Sequence, residues 1–387
     1  MPIVFVHGVN NRDGVAYTET EASRNGFLRE IVAPALGLSA SDAQLSSPYW
    51  GASGVQFAWG MAVLPDAGGE FEKFGGGGET EAFGRVKTLL AASALSEGGP
   101  IVESAKRDFA GVVDVLYASA MADATSEPLA RDIARSYLSA AAYAEKNPSP
   151  EWLATAVETN FVDQLNYNAD ASKEESFGKG GIFDSLKEGL SRLVNVLPDA
   201  TSAVATRLAR KQLNATVTRF AGDAFTYLSR RGTKKAPGEI VKIVLDALQD
   251  AATKKTAKDN KLIVIAHSFG GVIVHDILTY FDTELEVDCL ITVGSQVGLF
   301  EEMKLYVESN STLPPDPPKG KLPRPAGLKR WLNVFDLNDI LSYRLEPVFA
   351  GTSDFHYDTG YSSLSAHGGY FMRPSFYKRL AVRLQVG

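Results

Sequence analysis

The segment IVIAHSFGGVIVHDIL (263–278) restricts the fold more than any other part of the chain. Its first residues are β-branched and apolar on both faces, the pattern of a strand buried within a parallel sheet. The run passes straight into Ala-His-Ser-Phe-Gly-Gly, after which Val272, Val274, Ile277 and Leu278 recur at helical spacing. So sharp a turn from strand to helix strains the serine backbone and crowds neighbouring segments. The residues two before and two after the serine must therefore be small. They are Ala266 and Gly270, one methyl group away from the full Gly-x-Ser-x-Gly pattern. The turn aims the first N–H groups of the helix, including that of Phe269, at the space above Ser268 Oγ. Ser268 is the candidate nucleophile and Phe269 a candidate donor to an oxyanion.

Four further runs have strand length and composition: PIVFVHG (2–8), QLSSPYW (44–50), VDCLITVG (287–294) and WLNVFD (331–336). Helical text lies between them, as in GEIVKIVLDALQDAATK (238–254), where Ile240, Ile243, Val244, Ala247 and Leu248 recur at threes and fours. This alternation predicts an α/β fold, a mostly parallel central sheet with helices on both faces. From about residue 61 to 235 no buried-strand run occurs. That span opens with a glycine-rich stretch (66–78), whose Gly75–Gly78 run lacks the strand, lysine and helix of a phosphate loop and reads as a hinge. Alanine-rich helical text follows. The expected organisation is a discontinuous core (1–60 and 236–387) interrupted by a large, mainly helical insertion (61–235) serving as a cap or lid. Within it, Phe183, Leu186, Leu190, Leu193 and Leu197 share one helical face, expected to pack on the core; an acyl-binding or membrane-facing lid is the alternative. Proline density at 311–327 forbids helix and central strand there.

A nucleophilic serine needs a base, and the base an orienting carboxylate. Three histidines lie downstream of Ser268. His275 sits seven residues on in the same helix, about 10 Å along its axis, and reads as packing. His356, in SDFHYDTGY, reads as part of a short edge strand. His367, in the small-residue stretch SLSAHGGYF, reads as a loop residue free to swing, and is favoured as the base over His356. The strand WLNVFD runs into LNDILSYRLEP, where Asp336 closes the strand and Asp339 follows on the turn; Asp339 is favoured as the acid, Asp336 being second choice. The run IVFVHGVNN (3–11) is a strand ending in His-Gly, and the loop after it offers Val9 as the second oxyanion donor, with Asn10 as helper. His7 is expected to shape that loop by hydrogen bonding without transferring a proton.

These pieces resemble the α/β-hydrolase superfamily, and more closely its lipase- and esterase-like intracellular members. The likeness covers about residues 1–60 and 220–387. GDAFTYLSRRG (222–232), a helix and then AHSFGGVIVHDIL are similar to the region before the elbow in intracellular phospholipase-type enzymes. The resemblance implies ester hydrolysis by Ser268, Asp339 and His367 through an acyl-serine, without metal or cofactor, on a small-molecule or lipid ester. A thioesterase or amidase with the same triad, and a non-catalytic hydrolase-like scaffold, are the alternatives. The helical insertion has no counterpart in the resemblance.

Composition narrows the setting. The formal charge is −7, with no strong clustering of the 39 Lys and Arg residues, which argues against nucleic acid as a partner. The single cysteine, Cys289, can form neither an intramolecular disulfide nor a cysteine-based metal site, which suits a reducing compartment. The start MPIVFVHG has no basic n-region, and no window reaches the length of a transmembrane helix, so a cytoplasmic location is expected. Basic groups at Arg230, Arg231, Lys234 and Lys235, and at Lys321, Arg324, Lys329 and Arg330, leave peripheral membrane contact open. Oligomeric state is not legible.

Overall fold

The apolar runs form a six-stranded parallel sheet in the structure, a computed structural model that describes residues 1–63, 101–121, 124, 126–170, 179–196, 203–257, 259–313, 320–361 and 363–385. The chain enters through β1 (Pro2–Val6), α1 (Val15–Phe27) and β2 (Gln44–Ser46). It continues through helices α2 (Ile101–Arg107), α3 (Phe109–Met121), α4 (Glu127–Lys146), α5 (Phe161–Asp170), α6 (Lys179–Val196) and α7 (Ala203–Arg230). Then follow α8 (Glu239–Thr253), β3 (Ile263–His267), α9 (Phe269–Asp276), β4 (Val287–Val293) and α10 (Val297–Glu302). The last elements are β5 (Leu328–Phe335), β6 (Thr352–His356), α11 (Ser363–Gly369) and α12 (Pro374–Gln385).

The strand order is β6-β5-β4-β3-β1-β2, and every neighbouring pair is parallel. Ile3 pairs with Ile263 and Val6 with Ala266; His267 pairs with Val293, and Val293 with Val334. From β1 the chain steps outward to β2, then returns across β1 to β3 and proceeds the other way. The order therefore reverses between β1 and β3, where open parallel sheets form a crevice at their carboxyl ends. Both strands are buried on both faces, which is why their sequences do not alternate. The predicted strand 44–50 is shorter in the structure. Its ladder ends at Ser46, and Trp50 turns inward to bury its indole beside His7.

The chain separates into two compact units. The α/β unit comprises Met1–Asp13, Asp42–Gly68 and Thr206–Asp358. Its core packs Val4, Val6, Val264 and Ala266 of the sheet against Val241, Val244 and Leu248 of α8 and Phe269, Val272 and Ile273 of α9.

The helical unit comprises Gly14–Ser41, Gly69–Ala205 and Thr359–Gly387, so α1, α11 and α12 assemble with the helices of the long insert. Small residues let these helices approach. A Cβ on Gly26 of α1 would lie 2.9 Å from the Ala130 backbone of α4, and one on Gly189 of α6 would lie 3.1 Å from Ala120 N of α3. Ser126 caps α4 by accepting from Leu129 N, with Pro128 in the first turn where its missing N–H costs nothing. Glu30 accepts from both Arg131 (2.7 Å) and Arg135 (2.7 and 3.1 Å), and Asp114 takes Arg373 and Ser375. On the amphipathic face of α6, Leu186 and Leu190 are buried. Leu197, the side chains of Phe183 and Leu193, and the glycine-rich stretch 66–78 fall outside what is described. Among the described residues no helix is long and apolar enough to cross a membrane.

Candidate functional site

Ser268 occupies φ 54, ψ −128, a region that side-chain-bearing residues adopt only under constraint, at a cost of about 1–3 kcal/mol. Hydrogen bonds to its backbone N–H and C=O hold it there. Ser268 N donates to Val293 O at the end of β4 (2.9 Å), and its carbonyl accepts from Gly271 N (3.0 Å) and Ser295 Oγ (2.8 Å). The crowding inferred from the sequence is real and involves three glycines. A Cβ on Gly270 would meet Val6 O at 2.4 Å and His7 O at 2.8 Å; one on Gly8 would meet Ser268 Cβ at 2.5 Å; one on Gly271 would meet Ser295 Oγ at 2.2 Å. Gly8 and Gly271 were visible in the sequence as His-Gly and Gly-Gly, but only the packing of the β1 loop on the elbow, for Gly8, and of α9 on the end of β4, for Gly271, gives them their reason.

The loop after β1 is equally determined. His7 is 2% exposed and its ring stacks on Trp50 at 4.8 Å. Trp50 N can only donate, and it donates to His7 Nε2 (3.1 Å). The proton therefore sits on Nδ1, which donates to Gly8 O (2.7 Å). Asn11 Nδ2 donates to the same carbonyl (2.9 Å) and to Val9 O (3.2 Å). With Gly8 C=O held by two donors, the planar trans peptide turns the Val9 N–H the opposite way. Neither the Val9 N–H nor the Phe269 N–H has an acceptor among the described residues. The Asn10 N–H is engaged, donating to Asp223 Oδ2 (2.9 Å), so that backbone group cannot act as the expected helper without giving up this bond.

Both candidate acids are buried at the carboxyl end of β5. Asp336 Oδ1 accepts from Asn338 N (2.9 Å) and Asp339 Oδ1 from Leu341 N (2.9 Å), so each also closes its own turn. The acid loop is linked to the elbow through the residues after β4. Gln296 Nε2 donates to Leu341 O (2.5 Å), Tyr343 N donates to Ser295 O (3.1 Å), and Ser295 in turn holds the Ser268 carbonyl.

The histidines separate. His275 is walled in by Tyr306, Trp331 and Phe349, with ring centroids at 4.3, 5.7 and 5.3 Å, and burial lowers its pKa to about 3. His356 ends β6, an edge strand as expected. It is exposed, its ring lies against Phe335 at 5.7 Å, and β6 is three strands from β3, roughly 14 Å at the usual spacing. His367 is half-buried in the last turn of α11, in the helical unit; the expected loop is a short helix.

The segment before the elbow acquires a structural meaning. On α7, Asp223 and Tyr227 stand one turn apart. Asp223 holds the β1 loop, while Tyr227 OH donates to Asp276 (2.9 Å), which also pairs with Arg231 (2.9 Å). Burial raises the Asp276 pKa, partly offset by Arg231. Of the basic groups noted above, Arg231 and Lys329 are thus tied to Asp276 and Asp288. Cys289 is buried in β4 and its thiol is pushed up to about 11, which leaves no thiolate at neutral pH. Among the described residues no group of three His, Cys, Asp or Glu is placed to hold a metal ion. No protein-family model and no curated protein sequence matches the chain.

Proposed function

We propose that the protein is a serine hydrolase of the α/β-hydrolase type, acting on carboxylic esters. One observation carries the reading. Ser268 stands in a strained strand-to-helix turn at the carboxyl end of β3, at the point where the strand order reverses, beside a loop whose Val9 N–H points opposite to the Gly8 carbonyl and has no acceptor among the described residues. A hydrogen-bonded serine turn needs neither the positive φ nor three glycines crowded against it.

In this mechanism Ser268 Oγ attacks the ester carbonyl as His367 takes its proton. The N–H groups of Val9 and Phe269 stabilise the developing oxyanion. The alkoxide leaves with the proton returned by His367, and an acyl-serine remains. Water, deprotonated by the same imidazole, attacks the acyl carbonyl, and the acid departs as His367 returns the proton to Ser268 Oγ. Asp339 holds the imidazole tautomer and stabilises its charged form. The choice of His367 rests on chain order and on the alternatives, since His275 is enclosed and His356 is exposed on the far edge strand. Lipid esters are the favoured substrates, a choice carried by the resemblance around the elbow rather than by the site.

A panel of p-nitrophenyl esters of graded chain length tests the proposal. Wild-type protein should hydrolyse them, Ser268→Ala should not, and His367→Ala should lose several orders of magnitude in kcat while His356→Ala keeps most of it. A His356 variant as inactive as the serine variant would reassign the base. An inactive wild-type chain would favour the scaffold reading.

A further inference from the structure

The loop after β1 is fastened to a carboxylate 213 residues away in the chain. Asp223 is wholly buried, and both its oxygens are occupied. Oδ2 accepts from the Asn10 N–H (2.9 Å) and Arg12 Nη1 (3.2 Å); Oδ1 accepts from Arg12 Nη2 (2.8 Å) and the Val55 N–H (2.7 Å). Arg12 also donates to Asn11 O (3.1 Å) and Val55 O (3.4 Å). The seal has no slack, since a Cβ on Gly54 would lie 2.4 Å from Asp223 Oδ1. Asn10 itself is held at φ 62, in the left-handed region, and its side-chain oxygen accepts from Arg219 on the preceding turn of α7 (3.3 Å).

A buried carboxylate with four donors and a two-pronged guanidinium is an unusually rigid anchor. Removing such a charge from water is costly, and the residue it secures is the one next to Val9. Two peptide planes flank Val9. The one before is fixed by His7 and Asn11 at Gly8 O, and the one after is fixed by Asp223 at the Asn10 N–H. We propose that Asp223, with Arg12 as its counter-ion, is a positioning residue that holds the Val9 N–H where an oxyanion on a Ser268-bound substrate needs it. The proposal rests on the reading of Ser268 as nucleophile. It assigns to Asp223 no contact with substrate. Its effect passes through the Val9–Asn10 peptide, and a displacement near 1 Å of such a donor is enough to weaken it.

The test is Asp223→Asn, assayed with p-nitrophenyl acetate and normalised to the Ser268 sites titrated by a fluorophosphonate. The variant keeps the shape but turns one acceptor into a donor and leaves the charged Arg12 without its counter-ion. kcat per titrated site should fall by about 100-fold with KM within about twofold, the signature of a lost oxyanion donor. The inhibition constant of a trifluoromethyl ketone, whose adduct with Ser268 carries the oxyanion, should rise in the same proportion. A purely structural role would reduce the number of titrated sites and leave kcat per site unchanged, and that result overturns the proposal. Should Asp223→Asn not fold, Arg12→Lys takes its place. It keeps the charge and both backbone bonds but loses the fork, and should lower kcat about tenfold at constant KM; an unchanged kcat overturns the proposal equally. Wild-type protein that neither hydrolyses the ester nor labels at Ser268 removes the nucleophile reading and this proposal with it. An active, labelled wild type beside an unaffected Asp223→Asn removes this proposal alone.

Discussion

Acid should destabilise the α/β unit through His275, by an amount the structure lets one calculate. The ring is enclosed by Tyr306, Trp331 and Phe349, its Nδ1 finds no partner among the described residues, and burial lowers its pKa from 6.5 to about 3. The unfolded chain therefore binds a proton below pH 6.5 that the folded protein refuses until about pH 3. Because the unfolded state binds more protons in that window, stability falls as pH falls, by about 1.4 kcal/mol per unit. Between pH 7.5 and 5 the loss from this group alone is about 2 kcal/mol. For a unit of about 150–250 residues, that loss corresponds to a melting shift of roughly 4–8 °C. Paired carboxylates add their own acid sensitivity, so the quantity to measure is a difference. Urea unfolding of wild type and His275→Phe, each at pH 7.5 and pH 5, isolates it. The wild type should lose about 2 kcal/mol more than the variant on acidification. Equal losses would mean that His275 is not held neutral in its aromatic enclosure, and the reasoning would fail.

Three further outcomes follow from named contacts. Gly270→Ala places a methyl 2.4 Å from Val6 O, which must move by most of an ångström; a stability loss of at least 1–3 kcal/mol in denaturant unfolding is expected. Leu186→Asp puts a carboxylate at a wholly buried site on α6 and should lower the melting temperature of the helical unit, at a cost of several kcal/mol; an unshifted melting curve would place this side chain outside the core. Asp339→Asn should reduce kcat by orders of magnitude while Asp336→Asn keeps most activity, and the reverse order would exchange the two acids.

Much of the sheet was readable because a strand buried on both faces needs an unbroken apolar run, as in β3 and β4. The elbow was readable because its geometry admits so few residue types at 266, 268 and 270. His275 could be set aside for a similar reason, since its place in the helix turned it into an apolar surround. Other features depend on partners that no local pattern encodes. β2 stops at Ser46 because Trp50 leaves the ladder to cover His7, and α11 replaced an expected loop because small residues suit either state. The membership of the helical unit rests on pairs such as Glu30 with Arg131 and Asp114 with Ser375, whose partners are about 100 and about 260 residues apart. The segment GDAFTYLSRRG carries a likeness in the sequence, yet the reason for its Asp223 and Tyr227, two anchors on one face of α7 reaching Asn10 and Asp276, emerges only from the packing.

Covalent capture of the nucleophile tests the account most directly. Native protein is treated with a fluorophosphonate, digested and mapped by mass spectrometry, with Ser268→Ala in parallel. One adduct per chain is expected, on the peptide that carries Ser268, and none on the variant. Stoichiometric labelling of a different serine in the folded protein would contradict it.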